Sequence, residues 1–328
     1  MISSLMLALV LLSEPKDDQL IIDTIKGAIA TNAAFVQSGS LEFDVSQTIE
    51  GLHPVRAMGH FTWSGTDGFW ACRLSDPDHI ATGRGTYTRS IAEASVEYKL
   101  LSKDKFYSYY ASNSSLHVYE YKNRYLSTFY LFDLYPTTLW DQCCAPLQGR
   151  GRPWSEMIDA NSLASQPDST HQIIQVGNKE YKHIRVDPKF GTMRTTYSLE
   201  YGGHVVEHDY DFSNGKGESK HILYEWDKIG RAVVLKRCEA RKMFADDPKR
   251  PKSTFVVNIS KVDLATRVPH SKLTLESFSD LLPSNTFVND HINTKTYSLH
   301  RSNKYSDEAL KDLAKKVRSG SLLKGGNR

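Results

Sequence analysis

The pattern of apolar and polar positions changes period early in the chain. Over residues 17–37, Leu20, Ile21, Ile25, Ala28, Ile29, Asn32, Ala33 and Val36 recur at spacings of three and four. That spacing marks one face of a helix. Asp17 and Asp18 stand where the helix dipole favours negative charge, and Gly39 follows as a stop. From Leu41 the period becomes two, with Leu41, Phe43 and Val45 alternating against Glu42, Asp44 and Ser46. Further alternating runs fall at 58–64, 69–74, 96–100, 106–111 and 116–121, joined by short polar turns. One of these turns is Thr66-Asp67-Gly68, with Gly68 placed for a positive φ. A second series runs through 172–176, 181–186, 193–201, 205–212, 222–226, 232–240 and 254–262. Strands joined so closely pair antiparallel. A many-stranded meander after one long helix predicts an α+β fold, mainly antiparallel β, with a curved sheet wrapped around the N-terminal helix, because an apolar sheet face must be covered or closed.

The middle of the chain breaks the rhythm. Residues 122–171 hold Pro136, Pro146, Pro153 and long polar stretches. Short helices are expected at 127–134 and from Pro153, where Trp154, Met157, Ile158 and Leu163 share a side. The segment reads as an insertion or lid. Helical turns are expected at 273–282, and a tail helix starts at Ser306 with Leu310, Leu313, Ala314 and Val317 on one face.

Charge changes the picture only at the end. The net charge of +3 is too small to argue for nucleic acid. Residues 301–328 carry eight Lys/Arg against three Asp/Glu, so the basic excess is a property of this tail. It is either a solvated tail or a contact for an anionic membrane surface. At the other end, Leu5 to Leu12 is an apolar run of eight, too short to span a bilayer. It fits a signal-peptide core, although no Lys or Arg precedes it and no A-x-A follows, and Ser13 is the best cut. The expected organisation is therefore a signal peptide at 1–13, one domain at 14–300 and a basic tail at 301–328, in a periplasmic or otherwise extracytoplasmic protein. Four cysteines, Cys72, Cys143, Cys144 and Cys238, leave two outcomes open. One of the adjacent pair bonds Cys72 or Cys238, or all are buried thiols.

One motif demands a decision. His204-Val205-Val206-Glu207-His208 matches H-x-x-E-H, the zinc signature of inverted zincin peptidases. On a helix the two histidines would share a face and grip one ion. On a strand they stand ~13 Å apart, beyond the reach of one zinc. The flanks are rich in Thr, Tyr, Val and Phe and are punctuated by Gly202-Gly203 and Asn214-Gly215, which predicts a strand. The peptidase is kept only as a remote alternative. No P-loop, no G-x-S-x-G elbow and no G-x-G-x-x-G occurs. No enzyme activity, metal or cofactor is expected.

The order of elements resembles the periplasmic lipoprotein carrier superfamily, also called outer-membrane lipoprotein-sorting-like. The resemblance spans about residues 17–300. It rests on the helix followed by SGSLEFDVSQ, on GHFTWSGTDGFWACRL, on ILYEWDKIGRAVVLKR with FVVNISKVDL, and on the closing LTLESFSDLLPSNTFVNDHINTKTY. The chain is longer than the compact carriers, and residues 122–171 have no counterpart in them. The family fold implies an unclosed half-barrel with short lid helices over an apolar cavity, and a lipid or the acyl chains of a lipoprotein as ligand. No lid-locking or acyl-binding residue of the family has a match here. By alternation, Phe61, Trp63, Trp70, Leu74, Tyr98, Leu100, Leu116 and Val118 are expected on one sheet face, where they line the cavity or pack on the N-terminal helix. A non-catalytic envelope scaffold of the same fold is the alternative.

Overall fold

The computed structural model describes residues 15–51, 54–65, 67–74, 96–102, 105–110, 114–120, 147–148, 152–153, 169–189, 191–211, 219–244, 247, 250–283 and 286–298. The expected signal peptide, the helices at 127–134 and 306–318, the basic tail, Cys143 and Cys144 lie outside them. Helix α1 (Pro15–Phe35) leads into β1 (Ser38–Ile49), β2 (Val55–Ser64), β3 (Asp67–Leu74), β4 (Val96–Ser102), β5 (Lys105–Tyr110) and β6 (Ser115–Glu120). A small ribbon of β7 (Leu147–Gln148) and β8 (Arg152–Pro153) follows. Then come β9 (Thr170–Gln175), β10 (Glu180–Asp187), β11 (Gly191–Ser198), β12 (His204–Asp211), β13 (Lys220–Ile229), β14 (Ala232–Met243) and β15 (Pro251–Asp263). Short helix α2 (Leu275–Ser279) precedes β16 (Phe287–Asp290) and β17 (Lys295–Ser298). Hydrogen bonds order fifteen strands as β17-β16-β6-β5-β4-β3-β2-β1-β15-β14-β13-β12-β11-β10-β9. The fold is mainly antiparallel β with few helices, and its strand order ends at β17 and β9 without closing on itself.

The chain forms two compact units, each discontinuous in sequence. The first holds Met1–Gln37, Val45–Pro54 and Leu134–Ile259. Here β9 to β14 form a meander with one buried face. The register sets Ile173 opposite His183, His183 opposite Thr195, and Thr195 opposite His208. Farther along, Tyr224 faces Cys238, and Cys238 faces Val257. The opposite face carries ion pairs at Lys182–Glu207, Arg194–Asp211 and Arg237–Glu225, and a hydrogen bond between His221 and Asp209. Helix α1 touches β9 and β14. It buries Ile22 and Ile25, whereas Leu20, expected on the apolar stripe, is 68% exposed. The buried face thus runs through Ile22, Ile25 and Asn32.

The second unit holds Ser38–Asp44, Val55–Asp133 and Ser260–Arg328. Its strands β2 to β6 are an antiparallel meander, and β16 joins β6 in parallel. The turn between β2 and β3 lies earlier than expected, with its positive-φ glycine three positions before Gly68. Gly65 has the positive φ of 59°, while Gly68 is already paired with Trp63. Gly59 has a different duty: a Cβ there would stand 2.2 Å from the Phe43 ring, so only glycine lets that ring lie on the strand. Strands β16 and β17 were not visible in the alternation, since each is only four residues long. Pro153, expected to open a helix, ends β8 and pairs with Leu147, and the rest of that expected helix, from Trp154 on, lies outside the described residues.

Candidate ligand-binding site

The eight sequence candidates do not share one face. Phe61 lies opposite Trp70, Leu74 opposite Ala57, and Trp63 opposite Gly68, which places these four strand positions together. Trp70 in turn lies opposite Lys99, not Tyr98. Tyr98 is opposite Ala71 and Leu100 opposite Phe69, so both belong to the other face. Leu116 and Val118 join them through Tyr109 and Tyr107. The expectation of a shared face is therefore corrected by register. Strand pairing sets the face, and residues 75–95 between β3 and β4 hide the register from any reading of the sequence.

The two faces have different contents. Tyr98, Leu100, Leu116 and Val118 cluster with Tyr107 and Tyr109 beneath Phe278, Leu282 and Val288 of the C-terminal segment. The cover is α2 and its flanks, not α1. Burial raises the Tyr98 phenol pKa, with Tyr109 adding to the shift. On the other face, Phe61 and Trp63 stack at 5.3 Å and Phe43 meets Trp70 edge-on at 5.7 Å. Within it sits Lys99, only 2% exposed, its Nζ 5.4 Å from the Trp70 ring and 6.0 Å from Phe106. Cation–π attraction of this kind favours a charge that burial otherwise penalises. Sequence reasoning passed over Lys99 because it stands between Tyr98 and Leu100 and looks like a polar position of an ordinary alternating strand.

The first unit answers the question raised by H-x-x-E-H. His204, Glu207 and His208 lie on strand β12 and do not converge. The Asn32 amide meets His204 Nε2 at 2.7 Å, and His204 stacks on Trp226 with 4.2 Å between rings. His208 Nδ1 is 2.9 Å from Thr195 Oγ1. Glu207 is on the opposite face, 3.3 Å from Lys182. The peptidase alternative is overturned by this geometry. Burial lowers the pKa of His204 to about 4. For His183 and His208 burial is again the larger cause, with His171 and Arg185 adding at the first and Lys220 at the second, and both fall to about 4. These imidazoles are neutral at neutral pH. Among the described residues, Glu207, Asp209 and His221 bring ligand atoms within 4.8 Å of one another. Glu207 is held by Lys182 and Asp209 by His221, so the trio forms part of the ion-paired outer face. Cys238 is a free thiol, and burial pushes its pKa up to about 12, which makes it unreactive.

No family model matches the chain, and no curated protein matches it. Solved structures similar to it include members of the superfamily that the sequence resembles. One is a LolA superfamily protein from Nitrosomonas europaea, 10% identical, with a TM-score of 0.42 over 77% of this chain and 98% of that one. Another is a putative outer membrane lipoprotein-sorting protein domain from Vibrio parahaemolyticus, 6% identical, with a TM-score of 0.48 over 78% and 97%. A DUF1329 family protein from Desulfovibrio piger is 10% identical, with a TM-score of 0.46 over 79% and 98%.

Proposed function

We propose that this chain is an extracytoplasmic binding protein that holds a lipid or the acyl chains of a lipoprotein against an apolar face of its unclosed sheet, curved as a half-barrel around α1. The observation that carries the reading is the aromatic face of the second unit, where Phe43, Phe61, Trp63, Trp70 and Phe106 gather. An acyl chain needs only a dry, apolar surface, and its burial contributes roughly 25 cal/mol per Å². Phe61, Trp63, Trp70 and Leu74 form the wall in this reading. Tyr98, Leu100, Leu116 and Val118 back it from the other side of the sheet. Residues 1–13 direct export, the basic tail meets anionic membrane, and the chain carries no catalysis and no cofactor.

A second reading, a non-catalytic envelope scaffold, is favoured by one observation: the chain's own C-terminal segment already fills the Tyr98 face. Native mass spectrometry of residues 14–328, purified gently from an exporting host, separates the two. Co-purifying mass in the lipid range, released by organic solvent, supports the carrier. A bare protein mass with no uptake of added lipid or acylated peptide leaves the scaffold.

A further inference from the structure

Two histidines join the C-terminal hairpin to the second unit. Strand β16 pairs in parallel with β6, and backbone bonds flank the pairing. Phe287 N donates to Ser114 O at 2.9 Å, and His291 N donates to Val118 O at 3.0 Å. The second bond brings His291, in the turn after β16, beside His117 of β6. His117 Nδ1 lies 2.9 Å from His291 Nε2. The ring planes are 15° apart with centroids at 5.2 Å, so the rings meet edge to edge along the N···N line. Ser115 Oγ is 3.1 Å from His117 Nε2. Tyr119 stacks on His291 at 4.5 Å, its hydroxyl 3.4 Å from His117 Nδ1.

A hydrogen bond between two imidazoles needs one proton on the N···N line, which two neutral rings supply. One added proton leaves that bond intact. It goes to His291 Nδ1, and Nε2–H still donates to His117 Nδ1, now with charge assistance. A second added proton has only His117 to go to. Two N–H groups then face each other with two like charges behind them, and the bond is lost. Burial lowers the pKa of His117 below 6.5, and His291 adds to the shift. The contribution of the pair is therefore fully present above about pH 6.5 and is lost as the pH falls below it.

The surroundings leave this balance to the pair. On the same face, register sets uncharged Ser108 of β5 opposite His117, with Lys99 of β4 one strand further. Strands β16 and β17 bring Asn289 and Thr296. Asp290 belongs with Val118 to the other face, where its carboxylate accepts from Ile292 N, Asn293 N and Asn293 Nδ2. Lys295 lies opposite Asp290, and Lys105 opposite Glu120, on that other face.

We propose that the His117–His291 pair is a pH-sensitive clasp, which holds the β16–β17 hairpin on β6 at neutral pH and loosens it in mild acid. Among the described residues, the hairpin pairs with the rest of the sheet through β6 alone, over four residues, so one side-chain bond is a large part of its hold. Loosening withdraws Val288 from the tyrosine-lined face. The clasp is independent of the lipid reading, since a carrier and a scaffold would use it alike, and its failure leaves that reading where it stands.

Hydrogen exchange of the full chain tests it, read as protection factors so that the chemical pH dependence of exchange cancels. Between about pH 7.5 and about pH 5 the protection of the 287–291 amides should fall about tenfold, the factor for two unit charges about 3 Å apart in water, while β4 and β5 keep theirs. His291 is exposed, and His291→Gln replaces it with a neutral amide able to bond His117. That variant should lose the pH dependence. In the unmodified protein, labelled with ¹⁵N-histidine, the two rings should titrate as a coupled pair in two separated steps. Protection that stays flat with pH, a response that survives His291→Gln, or two independent titrations each overturn the clasp. Loss of protection in β4 and β5 together with β16 overturns it as well, because the event is then general unfolding.

Discussion

The two units build different sheets from similar strands. In the first, β10 to β14 are amphipathic: one face buries His183, Thr195, His208 and Tyr224, and the other is laced with ion pairs. In the second, β4 and β5 are buried on both faces, with Tyr98 and Leu100 on one and Lys99, Leu101 and Phe106 on the other. The difference teaches where stability and titration reside. The second unit depends chiefly on apolar packing, although burial also lowers the pKa of His60 and His117 within it. The first keeps neutral imidazoles inside, so acid reaches its core first.

The largest effect expected is in the packed unit. Phe278 is 1% exposed under the tyrosine face. Phe278→Ala should cost about 3–5 kcal/mol in urea unfolding; a loss below ~1 kcal/mol would mean that the C-terminal segment is not the cover of that face.

Acidification should strike the other unit next. His183, His204 and His208 titrate near 4 when folded and near 6.5 when unfolded. Between those values the unfolded chain binds more protons, so stability falls as pH drops from about 6.5 to about 4 and is fully present above that window. The loss is on the order of a few kcal/mol for the three together, after allowance for relaxation. Hydrogen exchange as a function of pH should show β10 to β12 opening before β4 and β5. Simultaneous opening would break the contrast.

The smallest effect belongs to the outer face. Arg194 and Asp211 are 38% and 53% exposed, and Arg194→Ala should change the melting free energy by less than about 1 kcal/mol. A larger loss would show that the ion-paired face is covered by something other than water.

The comparison also explains what the sequence revealed. Strand positions in the first unit were legible because their polar and apolar faces alternate cleanly, and strand chemistry alone separated His204 from His208 as metal ligands. In the second unit both parities are apolar, so the strands could be found but their faces could not. Phe61, Trp63 and Trp70 were grouped correctly across a short hairpin. Tyr98 and Leu100 were joined to them wrongly across the long connection at 75–95. The role of Asn32 was hidden for another reason. It sits at a helix-stripe position, and its partners Val233 and His204 lie some 200 and 170 residues away.

The parallel pairing of β16 with β6 sets a timetable for synthesis. Val118 leaves the ribosome roughly 160 residues before Phe278, a delay of about 8–30 s at ~5–20 residues per second. During that interval the tyrosine-lined strands have no cover. An uncovered tyrosine face is prone to aggregate, so the second unit is expected to complete its packing only after the segment around Phe278 is delivered.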